Sequence, residues 1–309
     1  MCIDLGARKS KRRRVADEAT SDASGLEDRG KGVRRRAMRV RSRTDPHRNL
    51  GETILSTTCG THMSNAEPNF VILPGLLTDE ALFRHQIKHL NDIAHCTVAD
   101  YAAATNIADM AGEVLAQAPK KFVLMGFSMG GYVALEIIRV APECVLALAL
   151  VSTSARPESD DARTEREKMM AQAQNNFQIV LDLMMPKFLH PSRMRYHSNV
   201  IIVYTMGLRV GAKTFLRHSR AILRRIDSRP YLRDIRCPTL VLCGRDDVLT
   251  PVAVHEELAA GIAGAQLRIL PESAHFLTIG RPALVSKVLR EWITELNLTE
   301  QFGGANAAA

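Results

Sequence analysis

The hexapeptide Gly126-Phe127-Ser128-Met129-Gly130-Gly131 constrains this chain more than any other feature. An apolar run, Phe122-Val123-Leu124-Met125, precedes it, and Tyr132 to Val140 follow with helical spacing. The order is strand, sharp turn, helix, with a serine at the apex. A residue on so tight a turn sits in strained backbone. Its neighbours two before and two after crowd the same space, so Gly126 and Gly130 carry no side chain. The turn lifts the Ser128 hydroxyl out of the sheet and sets a helix N-terminus, with free N–H groups, beneath it.

The same alternation runs through most of the chain. Phe70 to Leu73 reads as a buried strand closed by Pro74-Gly75, and residues 79–90 have helical spacing. Cys96 to Ala99 is a short strand, and Ile107, Met110, Ala111, Val114 and Leu115 form an amphipathic helix stopped by Pro119. Val145 to Val151 is a strand. The rhythm resumes with Thr239 to Cys243, a helix near 252–260, the strand Leu267 to Leu270 and a helix from about 282 to 296. In that last helix Trp292, with Leu289 and Leu296, reads as core. Short apolar strands alternating with helices predict an α/β fold: a mostly parallel sheet with helices on both faces.

The rhythm pauses over 156–227. That stretch reads as several helices with Met-rich apolar faces, among them Met169, Met170, Met184, Met185, Met194 and Met206. The β-branched run Val200 to Val203 is the exception inside it. The predicted layout is a basic tail over 1–62, a first core segment over 63–155, a helical insertion over 156–227, a second core segment over 228–300 and a short tail over 301–309.

Charge separates the tail from the body. Residues 1–66 hold 15 Lys/Arg against 8 Asp/Glu, whereas the other 243 hold 26 against 25. The basic run Lys9, Lys11, Arg12, Arg13, Arg14 has the pattern of a nuclear address or a nucleic-acid patch, but it is confined to a segment too polar to fold and reads first as a solvated tail or as sequence upstream of the true start. No nucleic-acid partner is expected. Met63 would serve as an alternative start. No apolar stretch is long enough to span a membrane, and no apolar segment follows the N-terminal charges as in a secretory signal. Acids in the tail oppose a transit peptide, and six cysteines without a CxxC pair suit a reducing compartment. The expected location is the cytoplasm.

A serine hydroxyl needs a base. Two loops downstream of Ser128 leave the carboxyl ends of successive strands: Gly244-Arg245-Asp246-Asp247, and Glu272-Ser273-Ala274-His275-Phe276. His275 is the candidate general base, and Asp246 or Asp247 the acid that orients it. Either acid could instead cap the helix that starts near Pro251. A developing oxyanion needs backbone donors, one from Met129 after the serine and one from Leu76 in the loop after the first strand. His85 and His89 lie one helical turn apart, but no third ligand is in view. No metal and no cofactor are expected.

With those residues placed, the chain resembles the small α/β-hydrolase-fold esterases of bacteria, a group that includes pimeloyl-ester carboxylesterases, enol-lactonases and related lyases. The resemblance covers Phe70 to Leu296. It rests on Leu-Pro-Gly-Leu-Leu at 73–77, Gly-Phe-Ser-Met-Gly-Gly at 126–131, Gly-Arg-Asp-Asp-x-x-x-Pro at 244–251 and Ser-Ala-His-Phe at 273–276. The family's acid is the third residue after the glycine, which implies Asp247. Pro74 stands where the family often has His, and Ala274 where it often has Gly. The antiparallel hairpin that opens larger members is not evident. The resemblance implies a triad of Ser128, Asp247 and His275 and a helical lid at 156–227 over an apolar pocket. The implied reaction is hydrolysis of a small apolar ester, thioester or lactone through an acyl-enzyme. A lyase or a cofactor-free peroxidase on the same fold is a second reading, and a binding protein on an inactive scaffold a third. Oligomeric state is left open.

Overall fold

The computed structural model describes residues 67–296. The expected tails, and the basic run within the first of them, lie outside the described residues. The elements are β1 (Asn69–Leu73), α1 (Arg84–Leu90), β2 (His95–Val98), α2 (Ile107–Gln117), β3 (Phe122–Phe127), α3 (Met129–Val140) and β4 (Val145–Val151). Four helices follow: α4 (Asp160–Asn175), α5 (Phe177–Phe188), α6 (Pro191–Met194) and α7 (His197–Leu223). The chain then returns to β5 (Thr239–Gly244), α8 (Val252–Gly261), β6 (Gln266–Leu270), α9 (Leu277–Gly280) and α10 (Pro282–Glu295).

The six strands form one sheet in the order β2-β1-β3-β4-β5-β6, and every pair is parallel. Successive side chains on a strand point to opposite faces, so a sheet buried on both faces sorts its residues into two cores. Phe70 and Ile72 of β1, and Val123, Met125 and Phe127 of β3, enter one core with Leu90 of α1 and Val285, Leu289 and Trp292 of α10. Val71, Leu73, Phe122 and Leu124 enter the other with Met110 of α2, Val133 and Ile137 of α3 and Leu258 of α8. This is the architecture expected from the sequence, and the strand positions agree to within a residue or two.

The insertion between β4 and β5 is wholly helical among its regular elements. The run Val200–Val203, which has strand character in the sequence, lies in α7 because Val203 and Met206 are buried on α5 and the sheet core, and packing outweighs a small local preference. The long α7 is broken at Gly211, whose φ of 75° and ψ of 165° are non-helical and suit glycine. The stretch 79–90, read as one helix, is a 3-10 turn at Glu80–Phe83 running into α1, while the short 3-10 turns at Pro142–Cys144 and Arg229–Asp234 carried no legible signal.

The topology places a crevice. From β1 the chain goes first to β2 on one side and then crosses to β3 on the other, so the loops after β1 and β3 diverge at the carboxyl edge of the sheet, where open α/β sheets leave room for a ligand. Strain collects at that edge. Among the described residues, the four non-glycine positions with positive φ, Leu77 (64°), Ser128 (53°), Ser152 (46°) and Glu272 (47°), lie just beyond the ends of β1, β3, β4 and β6. Such conformations cost about 1–3 kcal/mol each and persist where surrounding structure holds them.

Candidate active site

Ser128 occupies the turn between β3 and α3, with φ 53° and ψ −115°. Its N–H donates to the Val151 carbonyl at 2.9 Å, which ties the turn to β4. The two glycines are required by close approach. A Cβ on Gly126 would lie 2.6 Å from the Gly130 carbonyl oxygen, and one on Gly130 only 2.2 Å from the Leu73 carbonyl oxygen.

His275, in the loop after β6, lies against the serine: its Nε2 is 2.9 Å from Ser128 Oγ. On the other side of the ring, Nδ1 is 2.8 Å from Asp247 Oδ2. Three side chains from distant stretches of sequence thus meet in one line. The ring is buried and has aromatic neighbours, with Phe127 at 5.4 Å and Phe188 at 6.4 Å between centroids. The main chain of the loop is held by Ser152, whose hydroxyl donates to the His275 carbonyl at 3.0 Å, and by the Phe276 N–H, which donates to the Phe188 carbonyl at 2.8 Å.

The two candidate acids separate in the structure. Asp246 turns toward His190, 3.8 Å from its Nε2. Asp247 is buried, and its Oδ1 accepts from the Leu249 and Thr250 N–H groups at 2.9 Å each. Its Oδ2 also accepts from the Thr250 hydroxyl at 2.7 Å. Neither aspartate caps α8, whose N-cap is Pro251. Burial pushes the Asp247 carboxyl upward, but the charge and hydrogen bond of His275 and the two hydrogen bonds from Thr250 outweigh it and hold the carboxyl below the usual range.

Leu76 and Met129 both line the cavity beside Ser128. Among the described residues neither backbone N–H donates to a protein acceptor outside the regular elements. The Leu76 loop is held from below: the Gly75 N–H donates to Thr78 Oγ1 at 2.6 Å, and the buried Tyr101 hydroxyl donates to the Pro74 carbonyl. The cavity measures about 280 Å³. Met169, Met184, Phe188, Ile222, Val248 and Leu249 give it apolar walls, but Glu158, Glu165, Arg166 and Lys187 line it as well, so it is more polar than the Met-rich sequence implied.

His255 lies on α8, and a histidine on a helix is set aside as the base when only the sequence is read. Its ring faces the back of the site. Nε2 accepts from the Thr153 N–H at 3.0 Å, Nδ1 lies 3.2 Å from the Pro251 carbonyl, and the Thr153 hydroxyl donates to the Ser128 carbonyl at 2.8 Å. The ring accepts on Nε2, so its single proton belongs on Nδ1, and a second proton would displace the Thr153 N–H. Burial lowers the pKa of His255 to about 4, and it does the same to His218. His85 and His89 stack at 3.8 Å, and His85 Nδ1 contacts the Ser286 hydroxyl at 2.8 Å.

The buried histidines give stability a pH dependence with a definite sign. An unfolded chain protonates both near pH 6.5, whereas the folded one excludes those protons until about pH 4. Stability is therefore full above pH 7 and falls as pH drops through 6.5 toward 4, by up to about 1.4 kcal/mol per pH unit for each ring. Urea titrations at pH 7, 6 and 5 should show this decline, and a flat profile between 6.5 and 5 would contradict it.

The chain belongs to the α/β hydrolase family: the model described as "Alpha/beta hydrolase family" matches residues 73–288. It is accordingly an enzyme of the hydrolase class. Over 245 residues it is 24% identical to the protein provisionally named carbamate hydrolase RutD of Serratia proteamaculans, across 73% of this chain and 91% of that relative. Its fold matches the enol-lactonase from Burkholderia xenovorans LB400 with a TM-score of 0.69 at 23% identity, over 74% of this chain and 92% of that one. It matches a thermophilic esterase from Thermogutta terrifontis with a TM-score of 0.68 at 24% identity, over 74% and 90%. Among the described residues no helix is long and apolar enough to cross a membrane.

Proposed function

We propose that this hydrolase cleaves a small carboxylic ester, thioester or lactone through Ser128, His275 and Asp247. The observation that carries the reading is the unbroken path from Ser128 Oγ through both ring nitrogens of His275 to Asp247, with 2.9 and 2.8 Å links. Asp247 keeps the imidazole proton on Nδ1, so Nε2 is free to take the proton of the Ser128 hydroxyl as it attacks the carbonyl carbon. The Leu76 and Met129 N–H groups receive the oxyanion, each contributing about 3 kcal/mol to the barrier reduction. His275 then gives its proton to the departing alcohol, thiol or ring oxygen. Water, activated by the same ring, releases the acyl group from Ser128. The helices of 156–227 form the lid: α4, α5 and Ile222 of α7 contribute cavity wall, which makes acyl length and polarity a property of the insertion.

A fluorophosphonate probe tests the nucleophile directly. The expected result is one covalent adduct per chain, located at Ser128 by peptide mass, with turnover of a short p-nitrophenyl ester lost in proportion to labelling. A folded protein that takes no label, or is labelled elsewhere, overturns the reading. Product analysis over esters, lactones and elimination substrates then separates hydrolysis from lyase or peroxidase chemistry, which the same side chains can support.

A further inference from the structure

A second cavity adjoins the first and carries chemistry that the proposed triad does not use. It measures about 270 Å³ and is lined by Arg139, Arg156, Arg224 and Arg225, with Glu136 as its only carboxylate. Its opposite boundary is the start of α2, where Asn106, Ile107 and Ala108 line it. The Asn106 side chain caps the Asp109 N–H at 2.8 Å, while the Ile107 and Ala108 N–H groups meet no acceptor among the described residues.

The guanidiniums retain unused donors. Arg139 holds Glu136 through Nε and Nη2, at 2.9 and 2.7 Å, and Arg156 holds Glu257 through the same two atoms. Arg225 uses Nη1 on Glu158 and Nε on the Arg156 carbonyl. Arg224, exposed beside them, is in no ion pair among the described residues. Four guanidiniums and a helix N-terminus converge on one concave surface. Glutamates already pair with Arg139, Arg156 and Arg225, so an oxyanion meets the open fork of Arg224, the remaining Nη donors of the other three and the free backbone donors of α2.

We infer that this cavity binds an oxyanion of the phosphate class, seated on Arg224, Arg139 and the first turn of α2. It communicates with the reaction cavity through a common wall. Tyr132 lines both cavities, and the Arg225 guanidinium lies over its ring at 4.3 Å. Arg225 and Arg166 share Glu158, which faces the reaction cavity. An anion drawn to Arg225 competes with Glu158 for it, so filling one cavity alters the charge lining the other. The phosphate is either carried by the substrate, as a phosphorylated leaving group reaching past Tyr132, or a free ion acting as an effector. The binding claim stands apart from the triad, because it is read without turnover.

The test is calorimetric titration of inorganic phosphate into the full chain, with ionic strength held constant by chloride. A single saturable site is expected, weakened about tenfold or more in Arg224→Gln and further in the double variant with Arg139→Gln, and unchanged in Arg268→Gln on edge strand β6. Arg224 is exposed and in no ion pair, so its variant keeps the test interpretable even where the double variant folds poorly. Absence of saturable binding, or equal weakening by Arg268→Gln, overturns the inference. A second arm compares kcat/KM for an acetyl ester of a phosphorylated alcohol with that of the same ester lacking phosphate. A preference of about tenfold or more that Arg224→Gln removes assigns the anion to the substrate. A ratio near one, with phosphate binding intact, assigns it to a free ion.

Discussion

Ser128→Ala should lower kcat for a short ester by about 10⁶-fold while leaving a folded protein. The size follows from losing the nucleophile outright, because the amides of Leu76 and Met129 and the binding cavity remain and sustain only the residual rate such a site retains over water. Folding survives for a local reason. Alanine at φ 53° is strained much as serine is there, and the elbow is held by backbone bonds to Val151 and by the Thr153 hydroxyl on the Ser128 carbonyl, none of which uses the lost oxygen. One hydrogen bond to His275 disappears, which shifts stability by about 1 kcal/mol. The measurements are steady-state kinetics together with thermal unfolding. A stable variant with more than about a hundredth of the parent rate would remove Ser128 from the mechanism.

The sheet and its helices were legible because burial on both faces writes itself as short apolar runs, and amphipathic helices as a 3.6-residue period. The elbow was legible because steric demand at Gly126 and Gly130 restricts residue type within a few positions. The pairing of Ser128 with His275 was legible as an expectation from loop position, although the two are far apart in sequence. Asp247 was distinguishable from Asp246 only through spacing shared with a family, since adjacent aspartates have the same local chemistry. The structure separates them by direction, one buried toward His275 and the other turned to His190. What was not legible depends on long-range contact. His255 matters through Thr153, about a hundred residues earlier, and no local pattern announces that. The Met-rich insertion implied an apolar pocket, because composition does not say which face of α4 and α5 turns to the cavity; Glu165, Arg166 and Lys187 turn there as well.

Asp247→Asn should cost about 10⁴-fold in kcat with little change in KM, and the hydrogen bonds around the residue explain why so small an exchange is so damaging. Oδ1 is fixed as an acceptor by the Leu249 and Thr250 N–H groups, so in asparagine the carbonyl oxygen must stay there. The amide nitrogen is then forced into the Oδ2 position, 2.8 Å from His275 Nδ1. An NH₂ group facing an N–H is repulsive, and the ring escapes by moving its proton to Nε2. In that tautomer Nε2 donates toward Ser128 and can no longer take its proton. The Thr250 hydroxyl, which donates to Oδ2 in the parent, must also turn away from the new donor. Fold and cavity are unaffected, so substrate still binds and KM holds. Raising the pH should recover part of the rate in Asp247→Asn, because hydroxide can remove the serine proton without the ring. A variant within about tenfold of the parent at neutral pH would mean that Asp247 neither sets the tautomer nor steadies the imidazolium, and the orienting acid would have to be sought elsewhere.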